Sequence, residues 1–230
     1  MLLKLQNINF KYPGSEHFVF KDLNLTIDRP GFHALFGPSG VGKTSLAQII
    51  IGTLNGFSGS FDPGGLDRRL YSYNLERLPG WSSVGGHIDK IIKPDQKDLK
   101  TDLADNFGIA RFLKSRFAQL SLGQQNRVNL LRYLMQDFDL LIMDESLANV
   151  DERTRGKIIL KIKTIFPDAC FLYISHNIVE VSTYCDQIYV LPGAGKVSQI
   201  ETISGCDLKP DQTAEQKNLD RIMLEIMNVS

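Results

Sequence analysis

Between Phe36 and Leu46 the chain reads FGPSGVGKTSL, with four residues between Gly37 and Gly42 and with Lys43 and Thr44 directly behind them. The apolar run FHALF (Phe32–Phe36) before it reads as a strand, and SLAQIII (Ser45–Ile51) after it as a helix stopped by Gly52. A glycine-rich turn in that setting lets successive backbone N–H groups curl inward, and the helix N-terminus adds a field that favours anions. Lys43 is then placed to reach β- and γ-phosphates, and the Thr44 hydroxyl to ligate Mg2+. We expect Gly37, Pro38, Ser39, Gly40, Val41, Gly42, Lys43, Thr44 and Ser45 to hold the phosphates of a nucleotide. A motif that works only between a strand and a helix limits the rest of the fold sharply.

The remaining chain can supply such a frame. DLNLTID (Asp22–Asp28) alternates, placing Leu23, Leu25 and Ile27 on one strand face. LLIM (Leu140–Met143), CFLYI (Cys170–Ile174) and IYVL (Ile188–Leu191) are short apolar runs bounded by polar or turn residues. The first two are separated by RTRGKIILKIKTIF, which has helical spacing. Buried strands alternating with helices make a parallel sheet covered on both faces.

Within that sheet, DLLIMDE puts Asp144 at a strand end, where a carboxylate can hold Mg2+ directly or through water. Glu145 beside it can polarise a water against the γ-phosphate. YISHN puts His176 at the end of the next strand, on the edge where parallel sheets bind ligands, so it is assigned a γ-phosphate contact. Alone, each would read as a solvated acid or a satisfied histidine, as His17, His33 and His87 are read. The phosphate loop decides otherwise.

Composition narrows the partners. Lys plus Arg and Asp plus Glu both number 26, so zero net charge gives no electrostatic reason to expect nucleic acid. Cys170, Cys185 and Cys206 form no CxxC pair, which argues against a disulfide framework and fits a reducing compartment. MLLKLQNINFKY alternates and soon turns polar, unlike a signal peptide. No apolar run approaches the ~18 residues that span a bilayer.

Residues 75 to 135 break the strand–helix rhythm and turn helical towards DNFGIARFLKSRFAQL, so they are expected to form a helical insert. Within them LSLGQQNRVNLLRY (Leu120–Tyr133) begins as a capped helix, with Ser121 at its N-terminus. After Gly205, Thr213 and Gln216 have capping-box spacing, and Leu219, Ile222, Met223, Ile226 and Met227 share one helical face. That tail is expected to close onto its own domain, the alternative being a docking surface.

Taken in order from about Leu2 to Gly195, these features resemble the ATP-binding subunit of ABC transporters. FKYPG resembles the aromatic loop, with Tyr12 stacking on adenine. Gly37 to Thr44 resembles Walker A, Leu140 to Glu145 Walker B, and SLANVD the D-loop ending at Asp151. His176 matches the switch histidine. Leu120 to Gln124 is similar to the LSGGQ signature, and Arg127 and Arg132 fall at family positions.

The resemblance implies an α/β fold of the P-loop NTPase (ABC-type) class. It has a mainly parallel core sheet, an N-terminal antiparallel β subdomain and a helical insert. One ABC ATPase domain is expected over 1–230, with a RecA-like core and β subdomain at about 1–74 and 135–204. The helical subdomain would take about 75–134, and 205–230 a C-terminal helical tail. It also implies ATP and Mg2+ as ligands and a head-to-tail pair of chains. In that pair Ser121, Gly123 and Gln124 of one chain cover ATP held by the other's phosphate loop. Glu145 would orient or deprotonate the attacking water, and His176 would stabilise charge on the γ-phosphate.

Three positions depart from the family pattern. Leu122 replaces a glycine of the signature, costing about 1–2 kcal/mol if that position needs positive φ. Counting back from WSSV places Asn74 where the family has the Q-loop glutamine, one methylene shorter, still able to contact Mg2+ or the water if the backbone shifts. Ser146 stands where proline usually follows the glutamate, a change expected to matter little.

The function these features imply is the ATP-hydrolysing subunit of a multi-subunit membrane transporter. It would sit in the cytoplasm, attached to the inner face of the membrane through a permease. The expected partners are transmembrane permease subunits, a second ATPase subunit (self or homologous) and a solute-binding protein if it imports. LPGWSSV loosely resembles importers of nitrate-, sulfonate- or taurine-like solutes. Two alternatives stand beside it. One is a soluble ABC ATPase of translation or DNA repair. The other is a weakly hydrolysing regulatory subunit, motivated by Leu122 and Asn74.

Overall fold

The computed structural model describes residues 2–193 and 199–230, so Gly195, where the resemblance ends, lies outside the described residues. The chain opens with strands β1 (Leu3–Phe10), β2 (Phe20–Ile27) and β3 (Gly31–Phe36), followed by helix α1 (Lys43–Ile51). Strands β4 (Ser58–Asp62) and β5 (Arg69–Tyr73) come next, then helices α2 (Val84–Ile88), α3 (Lys97–Asn106) and α4 (Leu122–Leu134). The second half runs β6 (Leu140–Asp144), α5 (Glu152–Ile165), β7 (Cys170–Ile174), α6 (Ile178–Tyr184), β8 (Gln187–Val190), β9 (Glu201–Ser204) and α7 (Gln216–Val229).

Two sheets result. The alternating β2 pairs antiparallel with β1, and β4 lines the other side of β1, in the order β2-β1-β4. The larger sheet has the order β5-β6-β7-β3-β8-β9, parallel from β5 to β8 with β9 antiparallel at its edge. Alternate residues of β6 and β7 serve opposite faces, as strand geometry requires. Leu141, Met143, Phe171 and Tyr173 join the core that holds Leu131 and Val128 of α4. Leu140, Ile142, Leu172 and Ile174 join the core beneath α1 and the antiparallel sheet. Both strands are buried throughout, which is why they read as unbroken apolar runs.

The segment between β5 and β6 contains helices and no strand among the described residues, only the isolated bridge of Ser83 with Arg116. It departs from expectation in one place. DNFGIARFLKSRFAQL is mostly turns, with 3-10 segments at Ala110–Phe112 and Phe117–Gln119. Gly108, at φ 63°, ends α3, and the Ile109 N–H bonds back to the Ala104 carbonyl. A left-handed glycine that satisfies the last carbonyls stops a helix whatever periodicity follows.

The tail also differs in detail. Helix α7 starts at Gln216 with Glu215 before it and no side-chain cap, so the Thr213–Gln216 capping box does not form. Leu219, Ile222 and Ile226 are buried in contact with the domain through α6 and β9, whereas Met227 is 62% exposed and off the packed face. Strands β4, β5 and β9 were not singled out by sequence. Their short, half-exposed runs lack the apolar signal of β6 and β7.

Candidate functional site

Because β3, β5, β6 and β7 run parallel, their C-terminal ends reach one edge together. Strand β3 delivers the phosphate loop there, and α1 starts at its far side. Gly37 has φ 150°, and a Cβ on it would meet the Leu191 carbonyl oxygen at 2.5 Å. Gly42 has φ 103°, and a Cβ there would strike Val19 and Phe20 at 2.6–2.8 Å. Both positions therefore need glycine. Lys43 is buried, and its ammonium donates to the carbonyls of Gly37 and Pro38, 2.7 Å each. Burial pushes its pKa down, opposed by the charges of Asp144 and Glu145.

The loop is tied to the end of β6. Thr44 donates its hydroxyl to Asp144 Oδ2 at 2.9 Å, and the Tyr71 hydroxyl donates to the same oxygen at 2.6 Å. Glu145 follows with φ 51°, a left-handed conformation that costs a non-glycine residue about 1–3 kcal/mol. It is held by its N–H on the Ile174 carbonyl and by its carbonyl accepting from the Ala148 N–H. This turn aims the carboxylate at the next strand end, where Glu145 Oε1 contacts His176 Nε2. On the side of Ser45, the Tyr12 hydroxyl shares a 2.8 Å hydrogen bond with the Ser45 hydroxyl. The Tyr12 ring is 44% exposed and meets Phe10 edge-on.

A family model described as ABC transporter matches residues 20–148, more than half of the chain. The chain belongs to the ABC transporter family. It is 31% identical over 211 residues to a taurine import ATP-binding protein of Pelagibacter ubique, covering 84% of this chain and 79% of that protein. It is 28% identical over 219 residues to a spermidine/putrescine import ATP-binding protein of Fusobacterium nucleatum, covering 87% of this chain. It is 30% identical over 219 residues to an sn-glycerol-3-phosphate import ATP-binding protein of Bartonella quintana, again covering 87% of this chain. The chain spans 57% and 62% of the length of the latter two. In fold it is similar to a bacterial Atm1-family ABC exporter with ATP bound, with a TM-score of 0.75 at 17% identity over 98% of this chain and 41% of that one.

The signature of this ABC chain lies elsewhere than the phosphate loop. Ser121 caps α4 by accepting from the Gln124 N–H, and the Gln124 side chain accepts from the Ser121 N–H, a reciprocal capping box. Gly123 is buried, and a Cβ on it would sit 2.1 Å from the Asn149 carbonyl oxygen. Asp151 caps α5 by accepting from the Thr154 N–H at 2.9 Å. Among the described residues no hydrogen bond joins Ser121, Gly123, Gln124 or Asp151 to the phosphate loop; signature and D-loop abut each other instead.

The departures look different in three dimensions. Leu122 is the first residue of α4, 49% exposed and absent from the positive-φ positions, so the strain anticipated for it does not arise. Leu122→Gly is accordingly expected to change unfolding free energy by no more than about 1 kcal/mol, checked by urea denaturation. Ser146 is buried and donates to the Ser72 carbonyl at 2.9 Å, a tie between the β5 and β6 ends that proline could not make.

Asn74 follows β5, with its N–H on the Asp144 carbonyl. Its amide oxygen accepts from Asn126 of α4 at 3.0 Å, and Asn126 also donates to the Ala148 carbonyl at 2.8 Å. The Asn74 side chain thus faces the signature helix, with no bond to Thr44 or Asp144 side chains.

Thr44 and Asp144 fit Mg2+. They are paired hard oxygens beside a phosphate loop, and no cluster of three or more His, Cys, Asp or Glu among the described residues forms a cage of its own. Mg2+ takes one or two protein oxygens and fills its octahedron from phosphate and water. Sequence reasoning missed Tyr71 and Asn126. The alternation of RLYSY puts Tyr71 and Tyr73 on the Asp144 face once β5 is recognised as a strand in register with β6.

Proposed function

We propose that this chain is the ATP-binding and hydrolysing subunit of a multi-subunit membrane transporter, working as a head-to-tail pair. The observation that carries the proposal is the closed chain of contacts at one sheet edge, with Thr44 on Asp144 and Glu145 on His176. Lys43 and the loop from Gly37 to Ser45 bind phosphates, and Tyr12 stacks on the base. Thr44 and Asp144 hold Mg2+, which neutralises phosphate charge when bound. Glu145 takes the proton of the attacking water, and His176 orients that carboxylate and stabilises γ-phosphate charge.

Ser121, Gly123 and Gln124 act on the partner's nucleotide. That no hydrogen bond among the described residues joins them to their own phosphate loop supports this division, and a second helix N-terminus adds attraction for a multiply charged anion. Asp151 and Asn74 link the two halves. Asn74 acts through Asn126 and Ala148 in the conformation described.

Residues about 75–134 serve as the helical subdomain, the segments at about 1–74 and 135–204 as the catalytic core with its β subdomain, and 205–230 as a closing tail. The relatives' names support import. No helix among the described residues is long and apolar enough to cross a membrane. In this reading, which the relatives' names support, a permease supplies the path and attaches this chain to the inner face. A solute-binding protein would deliver cargo on the other side.

Co-purification from native membranes in mild detergent tests this reading. The expected result is a multi-span protein in stoichiometric amount. Ribosomes, nucleic acid or no companion would overturn it. One observation favours a slowly hydrolysing regulatory subunit as second reading, namely the engagement of the Asn74 amide by Asn126. That reading predicts ATP binding with phosphate release no faster than in Glu145→Ala.

A further inference from the structure

Tyr71 is half-buried on β5 in parallel register with Ile142, two residues before Asp144 on the neighbouring strand. Residues in register on a sheet share a face, so Tyr71 lies on the α1 side, where Thr44 approaches. Its ring stacks on Tyr73 at 5.7 Å between centroids. Packing alone would be served by phenylalanine. The hydroxyl, however, reaches Asp144 Oδ2 at 2.6 Å, shorter than the 2.9 Å bond from Thr44 to that oxygen.

The two bonds together fix the carboxylate. The terminal torsion of an aspartate is broad and poorly held by rotamer preference alone. Two donors on Oδ2 occupy both its lone pairs and leave Oδ1 with no hydrogen bond among the described residues. We propose that Tyr71 is a positioning residue for the metal site, its hydroxyl orienting Asp144 so that Oδ1 is presented towards Mg2+ or a water bound to it. A Thr44 oxygen that ligates the metal can still donate its proton to Asp144, so Tyr71 acts as the second of two donors. Tyr71 keeps a donor on Asp144 that makes no metal bond.

This inference rests on the Mg-ATP reading of Thr44 and Asp144, and one experiment separates the two. ATP affinity is measured by calorimetry for the full chain, first in EDTA and then across a Mg2+ series, for wild type, Tyr71→Phe and Tyr73→Phe. Mn2+ binding to each ATP complex is followed by electron paramagnetic resonance.

The expected result is unchanged ATP affinity in EDTA for all three chains. In Tyr71→Phe the Mg2+ needed for half-maximal binding rises about tenfold, the usual scale for losing a hydrogen bond behind a metal ligand. Mn2+ affinity falls in parallel, while Tyr73→Phe follows wild type. Tyr71→Phe keeps the ring and its packing, so loss of fold is not expected. If Tyr71→Phe follows wild type through the Mg2+ series, or loses affinity equally in EDTA, the positioning role is overturned and the metal site stands. If wild-type affinity is itself indifferent to Mg2+, the metal reading falls and the role of Tyr71 falls with it.

Discussion

Replacing Glu145 by glutamine is expected to slow phosphate release by at least about 100-fold while leaving Mg-ATP affinity within about twofold. The amide keeps the size of the carboxylate and can still meet His176, but it cannot accept the proton of the attacking water. Among the described residues, its two neighbours at this edge are already engaged. Asp144 is committed to Thr44 and Tyr71, and His176 itself leans on Glu145. The left-handed turn at Glu145 is no worse for glutamine, so the fold should be kept. With hydrolysis blocked, an ATP-bound pair of chains should accumulate and appear on a sizing column as a shift to twice the mass. A variant retaining more than a third of the wild-type rate would remove Glu145 from the role of base. A clear ATP-dependent homodimer would count against any need for a different ATPase partner.

Gly123→Ala should produce the largest loss of stability at the site, about 3 kcal/mol, the upper part of the usual overpacking range. A Cβ would lie 2.1 Å from the Asn149 carbonyl oxygen, a backbone atom rather than the tip of a flexible side chain. The segment it strikes has little freedom. Asn149 already has φ 61°, the neighbouring Ala148 carbonyl is bonded to buried Asn126, and Val150 is buried. Either α4 or the D-loop must therefore move. Thermal unfolding should fall by roughly 6–12 °C for a chain of this size. Ser121→Ala, which removes only the cap, should cost about 1 kcal/mol. Equal stability of Gly123→Ala and wild type would mean that the signature and D-loop do not meet as described.

The parts of the site that sequence could reveal are those with local grammar. Gly37 to Thr44 is one continuous motif between a strand and a helix, and Asp144, Glu145 and His176 follow short, bounded apolar runs of the length that buried strands have. Tyr71 and Asn126 were not legible, because each acts across a long stretch of chain. Tyr71 lies 73 residues from Asp144 and Asn126 lies 52 from Asn74. Their partners are fixed by sheet register and helix packing, neither of which a local pattern contains. Whether Leu122 needed a positive φ was not legible for a related reason, and the condition on which its strain depended is not met. Its backbone is set by the capping box of Ser121 and Gln124, which makes it an ordinary first helical residue. The stretch DNFGIARFLKSRFAQL shows the opposite failure, in which apolar spacing suggested a helix that one left-handed glycine forbids.

That no hydrogen bond among the described residues joins Ser121 or Gly123 to their own phosphate loop bears on how activity scales. In the head-to-tail pair proposed above, a catalyst assembled from two half-sites, each incomplete alone, would work with a rate law second order in chain at high dilution. Specific activity then climbs with concentration until pairing saturates. A permease that holds two copies side by side would abolish that climb by making the encounter intramolecular, raising the effective local concentration to about the millimolar range. The free chain would be nearly idle, and ATP would be spent chiefly where transport can follow.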